Sequence, residues 1–330
     1  MPQYTLRNLR AAYGETLVRL MEQDERIVVL DADLCRSTMT VLVEQRFPGR
    51  FIEMGIAEQN MVATAAGLAL EGKIPFVNSF AVFACGRAYD QIRQTVALAK
   101  LGVTIVGSSA GLSDFGDGAT HQSVEDVSLM ASLPNMTIIS PSDALDVEQA
   151  LPLIVAYRRP VYLRLTRSDL PVIHEGLPPL DLAGVRRMRD GCDTVIFATG
   201  SMVIKALEAA VVLESQGTSA RVVDVSTIKP LATEEVNAEV RGVRGVVTAE
   251  EHSIIGGLGT AVSLALRSLL LPVEFVGIKD CFGVSGESHA ELMDHYGLTA
   301  SAIVHAVEGA LRPSSGGRRG NARDSSAGLG

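Results

Sequence analysis

The feature that most limits how this chain can fold is a rhythm of short, almost wholly apolar runs, each followed by a helical stretch. IVVLD (27–31), IPFVNSF (74–80), VTIVG (103–107), MTIIS (136–140) and VYLRL (161–165) are short and β-branched enough to be strands. Between them, AEQNMVATAAGLAL (57–70), RAYDQIRQTVALAK (87–100) and DALDVEQALPLIVAY (143–157) read as helices. Leu6, Leu9, Tyr13, Leu17, Leu20 and Met21 recur at helical spacing ahead of the first run. Strands without a polar side must be covered on both faces, and helical crossovers between them make neighbours parallel. The expectation is an α/β protein with mainly parallel sheets covered by helices.

The rhythm breaks once. Residues 168–192 (SDLPVIHEGLPPLDLAGVRRMRDGC) hold three prolines and little periodicity, which reads as a linker. It then restarts with DTVIFAT (193–199), a helix over 203–215, ARVVDVS (220–226), GVVTAE (245–250), a helix over 258–269 and VEFVGI (273–278). Two domains are expected, 1–167 and 193–311, in keeping with 330 residues at roughly 100–200 per domain. The Gly/Ser/Arg-rich end, 312–330, has one aliphatic residue, Leu329, and is expected to be disordered.

Composition removes several function classes. A net charge of −9 opposes duplex nucleic-acid binding, which needs a basic face. No apolar run reaches the ~18–20 residues that span a bilayer, and MPQYTLRNLR lacks a signal core, so a cytoplasmic protein is expected. Cys35, Cys85, Cys192 and Cys281 form no CxxC pair, which suggests neither a zinc knuckle nor a disulfide framework.

Two segments concentrate chemistry. In MGIAEQNMVATAAGLALEGKIPFVNSFAVFACGRAYDQI (54–92), Glu58 stands where a strand gives way to a helix. It is either an acid favoured by the helix dipole or a functional carboxyl. Phe80 and Phe83 would ordinarily be core residues, and Cys85 reads as a small packed residue rather than a nucleophile. In GLSDFGDGATHQSVED (111–126), Gly, Asp and His follow a strand, where open α/β sheets bind ligands. His121 is as readily a surface residue as a binding one. FATGSM (197–202) and HSIIGGLGTA (252–261) lack the full GxGxxG pattern and read as structural turns.

Together GIAEQN (55–60), FVNSFAVFACGRAYDQI (76–92), GDGATHQ (116–122), LPNMTIISPSD (133–143) and LRLTRSDLP (163–171) resemble the thiamine-diphosphate enzymes of the transketolase group. STIKPL (226–231) and VTAEEHSIIGGLG (247–259) resemble that family's carboxy-terminal domain, and the likeness covers about residues 5–311. It implies a pyrimidine-binding fold followed by a transketolase C-terminal-like domain. It implies that Glu58 is the acid that bonds the cofactor's N1′ and activates it. Phe83, with Phe80 close by, would stack on the pyrimidine, and Asp33 of LDADL would lie near the cofactor. Asp117 and His121 would bond donor hydroxyls and move protons. Arg167, Arg10 and Ser37 would meet a substrate phosphate, Arg through its bidentate fork. The sequence departs from the pattern at Ser109, where transketolases carry a His.

The family's diphosphate- and Mg²⁺-binding GDG is followed by an Asn some 25–30 residues on. Here Asn135 comes too early, so no metal site is assigned to this chain. Set against the family's pattern, the domain that grips Mg²⁺ and diphosphate is expected on a separate chain or, were this a fragment of a longer enzyme, on the rest of that enzyme. The resemblance therefore implies the second subunit of a split transketolase, in an α2β2 assembly with a diphosphate-binding chain. The implied reaction moves a two-carbon ketol unit from a ketose phosphate to an aldose phosphate. GIAEQ and RAYDQ also resemble deoxyxylulose-phosphate synthase. A synthase-like activity, an oxo-acid decarboxylase or dehydrogenase beta subunit, and a non-catalytic scaffold therefore stay open.

Overall fold

The computed structural model describes residues 4–312. The tail expected at 312–330 lies, but for Arg312, outside the described residues. In chain order the strands are β1 (Leu6–Asn8), β2 (Ile27–Asp31), β3 (Phe51–Glu53), β4 (Ile74–Phe80), β5 (Thr104–Ser108), β6 (Thr137–Ile139), β7 (Val161–Arg164) and β8 (Asp169–Pro171). They continue with β9 (Arg186–Arg189), β10 (Thr194–Ala198), β11 (Ala220–Asp224), β12 (Thr227–Lys229), β13 (Gly245–Ser253) and β14 (Val273–Ile278). A seven-stranded sheet runs β12-β6-β7-β5-β4-β2-β3, parallel except for β12. A five-stranded sheet runs β14-β13-β10-β11-β9, parallel except for its edge strand β9.

The apolar runs become the central strands for the expected reason. β2, β4, β5 and β7 are buried along their whole lengths, and their alternate side chains feed two separate cores. Leu30, Val77 and Ile105 pack against Met61, Val62 and Ala65 of the helix Glu58–Leu70. On the other face, Val29, Phe76 and Val106 meet Leu9, Tyr13 and Leu17 of the helix Leu9–Gln23, and Val147 and Leu151 of Ala144–Tyr157. Asn8 and Asp143 start those two helices by accepting orphan backbone N–H groups. The second sheet is covered on both faces in the same manner. Among the described residues, no helix is long and apolar enough to cross a membrane.

The structure differs from the expectations in three places. The segment read as a linker is partly ordered as strand: β8 pairs antiparallel with β1, and Arg-rich β9 forms the edge of the second sheet. An edge strand of three arginines and one methionine, mostly half-buried, carries no apolar run to reveal it. Residues 87–100 are not one regular helix. A turn over Tyr89–Gln91 widens through Ile92–Ala97, where the Leu98 and Leu101 amides reach back five residues to the Arg93 and Val96 carbonyls. One extra residue in a turn is invisible to a 3.6-residue periodicity. Finally, STIKPL supplies β12, which leaves the second half of the chain to extend the first sheet beside β6.

Candidate active site

Five neighbouring strands, β3, β2, β4, β5 and β7, are parallel and so end on one side of the first sheet. The loops and helix starts that follow them carry nearly every candidate residue, the place where open α/β sheets bind ligands. Glu58 opens the helix after β3, Asp33 follows β2, and Phe83 follows β4. Ser109, Asp117 and His121 follow β5, and Arg167 follows β7.

One cleft of about 470 Å³ is lined by Ala32, Asp33, Leu34, Ile56, Glu58, Phe83, Arg87, Thr120 and His121. Glu58 is almost fully buried, at 3% exposure, and accepts from Arg87 Nη1 at 3.1 and 3.3 Å and from Ser79 Oγ at 3.4 Å. The Arg87 guanidinium also lies over the Phe83 ring, 4.2 Å from its centroid. Phe80 is buried behind Phe83, centroids 6.1 Å apart and rings 19° from parallel. The His121 ring stands edge-on to Phe83 at 5.3 Å, and its Nδ1 is 2.9 Å from the Thr120 hydroxyl. Asp33 sits at the rim with φ +63°, its amide donating to Glu53 Oε1. Just behind it, burial raises the Asp31 carboxyl to about 6 against the hydrogen bonds of Thr38, Leu34 and Thr40.

A second group forms around two arginines. Arg10 donates to the carbonyls of Ser37, at 2.6 Å, and of Arg167, at 3.2 Å. Arg167 pairs with the buried carboxylate of Asp114 at 2.8 Å. Burial first, then the like charge of Arg167, lowers the pKa of Arg10. Burial raises Asp114, and Asp117 adds to that while Arg167 opposes it. Fully buried Ser109 lies against Asp114, whereas Asp117 is exposed.

Glu58, Phe83, His121 and Asp33 therefore meet in one cleft, while Arg10, Arg167 and Ser37 gather by themselves. Ser37 meets Arg10 through its carbonyl, and Asp117 is not among the residues lining the cleft. Sequence reasoning missed Arg87 as a partner of Glu58 and Asp114 as a partner of Arg167. Both stand inside segments already singled out, RAYDQ and SDFGDG, but charge alone does not reveal who pairs with whom.

The arrangement offers a buried carboxylate beside an aromatic face, an imidazole across from them, and a pair of guanidiniums able to take an anion. The family described as "Transketolase, pyrimidine binding domain" matches residues 7–172, and "Transketolase, C-terminal domain" matches residues 183–303. The chain belongs to the transketolase family. Among its transketolase relatives, the 6-deoxy-6-sulfo-D-fructose transketolase subunit SqwH of Clostridium sp. is 43% identical over 300 residues, 91% of this chain and 93% of that protein. A subunit of the apulose-4-phosphate transketolase of Phocaeicola vulgatus is 36% identical, covering 89% of this chain and 94% of its own. A split-gene transketolase solved as an inactive beta4 tetramer superposes with a TM-score of 0.83 at 44% identity, over 92% of this chain and 98% of that one. The fold and function are thus those of a transketolase-type transferase, on two mainly parallel α/β domains.

Proposed function

We propose that this chain is the beta subunit of a split, thiamine-diphosphate-dependent transketolase of the cytoplasm. It would transfer a two-carbon ketol unit between sugar phosphates in an α2β2 assembly. Names of relatives that specify a transketolase "subunit" support a partner chain. The observation that carries the reading is the convergence of Glu58, Phe83 and His121 on one cleft. A buried carboxyl beside a half-buried aromatic ring that lines the cleft suits an aminopyrimidine, which needs stacking and one bond to a ring nitrogen.

Glu58 would hold N1′ of that ring, Phe83 its face, and buried Phe80 would stiffen Phe83 from behind. Arg87, which lies over both Glu58 and Phe83, would have to give way. Asp33 would border the cofactor from the rim. His121 and Asp117 would bond sugar hydroxyls, with His121 moving a proton at the reacting hydroxyl. Arg10 and Arg167 would bind the sugar phosphate, with Ser37 and Ser109 beside them. An anion there would relieve the repulsion between the two guanidiniums. When bound, the cofactor supplies the electron sink that the side chains lack. Mg²⁺ and the diphosphate are assigned to the partner.

The test combines the chain with a diphosphate-binding partner, Mg²⁺, thiamine diphosphate, a ketose phosphate and an aldose phosphate. Glu58→Ala should lower kcat by about 10²–10⁴-fold. Normal turnover in that variant refutes the role of Glu58, and pyruvate consumption with carbon dioxide release would replace ketol transfer as the reaction.

A further inference from the structure

The segment 111–124, which carries Asp117 and His121, is built into the second domain although it follows a strand of the first. Leu112 and Val124 belong to the second domain's core, packed with Ile278, Leu292 and Met293. The backbone is fastened along its length: Leu112 N to Glu251 Oε1 at 2.7 Å, Gly286 N to Phe115 O at 2.9 Å, and Ser253 N to Val124 O at 2.7 Å. Gln122 Nε2 donates to Val284 O at 3.0 Å. The approach is close enough that a methyl group on Gly118 would lie 2.3 Å from Ser285 Oγ.

We propose that Glu251, fastened by His289 and Ser201, is the positioning residue that holds this loop, and with it Asp117 and His121, against the cleft. The inference rests on the function proposed above. Glu251 is buried, at 2% exposure, and both its oxygens are engaged. Oε1 accepts from the Leu112 amide and from His289 Nε2 at 3.0 Å, and Oε2 accepts from the Ser201 hydroxyl. Its carbonyl accepts from Arg164 Nη2 at 3.0 Å, at the end of the strand that leads to Arg167. One residue of the second domain thus ties two site-bearing loops of the first. Burial by itself would raise this carboxyl, but the charge and hydrogen bond of His289, with Arg164 and Ser201, hold it at about 2. The carboxylate is therefore a permanent acceptor for the Leu112 amide at ordinary pH. Gly111, next to that amide, has φ +67°, and a methyl group there would lie 2.2 Å from Glu251 Oε1. Only a residue without a Cβ lets the carboxylate come so near.

Buried charge that merely joins two domains would behave differently, and the molecule contains its own control. His174 bridges Asp143 and Asp224 across the same two domains with no bond to residues 111–124. The experiment measures amide hydrogen exchange on the full chain. Glu251→Ala and His289→Ala should speed exchange at Leu112 and across 111–124 by roughly tenfold or more, leaving β2, β4 and β10 protected. His289→Gln, which keeps a donor, should restore much of the protection, and His174→Gln should leave the loop unchanged. Unchanged exchange at 111–124, or an equal rise through both sheets, overturns the proposal.

With the partner, cofactor and sugar phosphates, His289→Ala should lower kcat while the dissociation constant for thiamine diphosphate stays put. A loosened loop with undiminished turnover would also sink the positioning role. A wild-type complex that transfers no ketol unit counts against the proposed function, while the exchange data still decide whether Glu251 holds the loop.

Discussion

The two domains are joined by buried charge at two ends, and the ends are built differently. At the linker end, His174 lies between Asp143 and Asp224, each at 3.0 Å, with Asp146 at 3.5 Å, and Arg186 pairs with both Asp146 and Asp224. Asp143, Asp146 and His174 are close enough together to hold a metal ion, but Arg186 already brings a cation to that cluster. Burial opposes a charged His174, yet the surrounding carboxylates win and raise its pKa to about 9. At the site end the fixed cation is Arg164, which forms a two-pronged pair within the first domain with Asp126 at 2.7 and 3.2 Å and reaches the second domain through the Glu251 carbonyl at 3.0 Å. Tyr162 adds a third bond to Asp126. His252, beside this pair, is pushed by burial down to about 4 and stays neutral. A guanidinium keeps its charge at any ordinary pH, whereas an imidazolium does not. The end next to the candidate-site loop therefore keeps its geometry over a pH range in which the linker end loses its central charge.

The largest effect expected from this contrast comes from Asp126→Asn. It leaves Arg164, 9% exposed, without its counter-charge, and should cost about 3–5 kcal/mol. Urea denaturation reads this directly, and a loss below about 1 kcal/mol would mean that the existing bond from Arg164 to the Glu251 carbonyl is enough to hold the guanidinium. His174→Gln comes next, at about 3 kcal/mol near neutral pH, the equivalent of raising a pKa from 6.5 to about 9. The sign is definite: a raised folded-state pKa stabilises fully below 6.5, and that contribution disappears as pH climbs through about 9. Wild-type stability should therefore fall between pH 6.5 and 9, and the variant's profile should be flatter. Parallel profiles would remove His174 as the titrating weld. The smallest effect is assigned to Arg187→Ala, which breaks an ion pair with Glu239 outside both networks. Arg187 is 45% exposed, so less than about 1 kcal/mol should be lost, with no change in the alkaline profile.

Much of the candidate site was legible because its residues travel in compact segments. Glu58 at a helix start, Phe83 a few residues past a strand, and the Asp117–His121 loop could each be placed by reading a strand, its end, and the segment beyond it. Their partners could not. Arg87 reaches Glu58 across 29 residues, and Glu251 reaches Leu112 across 139, so neither pairing leaves a local pattern. Glu250, Glu251 and His252 read in sequence like polar residues at a strand's end. Burial makes them the opposite, since an unpaired charge there would be prohibitive and each must find a specific partner. β9 was missed because Arg186–Arg189 has a strand's backbone and a loop's composition.

By itself the sequence determined the period of its apolar residues, where helices begin, and so which loops stand at the carboxyl ends of parallel strands. These are properties of a few adjacent residues, set by backbone geometry and the need to bury one face or two. Only the tertiary structure decided that the candidate-site loop of one domain is rooted in the core of the other, and that β12 crosses back to the first sheet. Those choices depend on sheet order and on how two separately patterned units dock. The energy there lies in desolvated pairs between residues far apart in the chain, which local spacing does not encode.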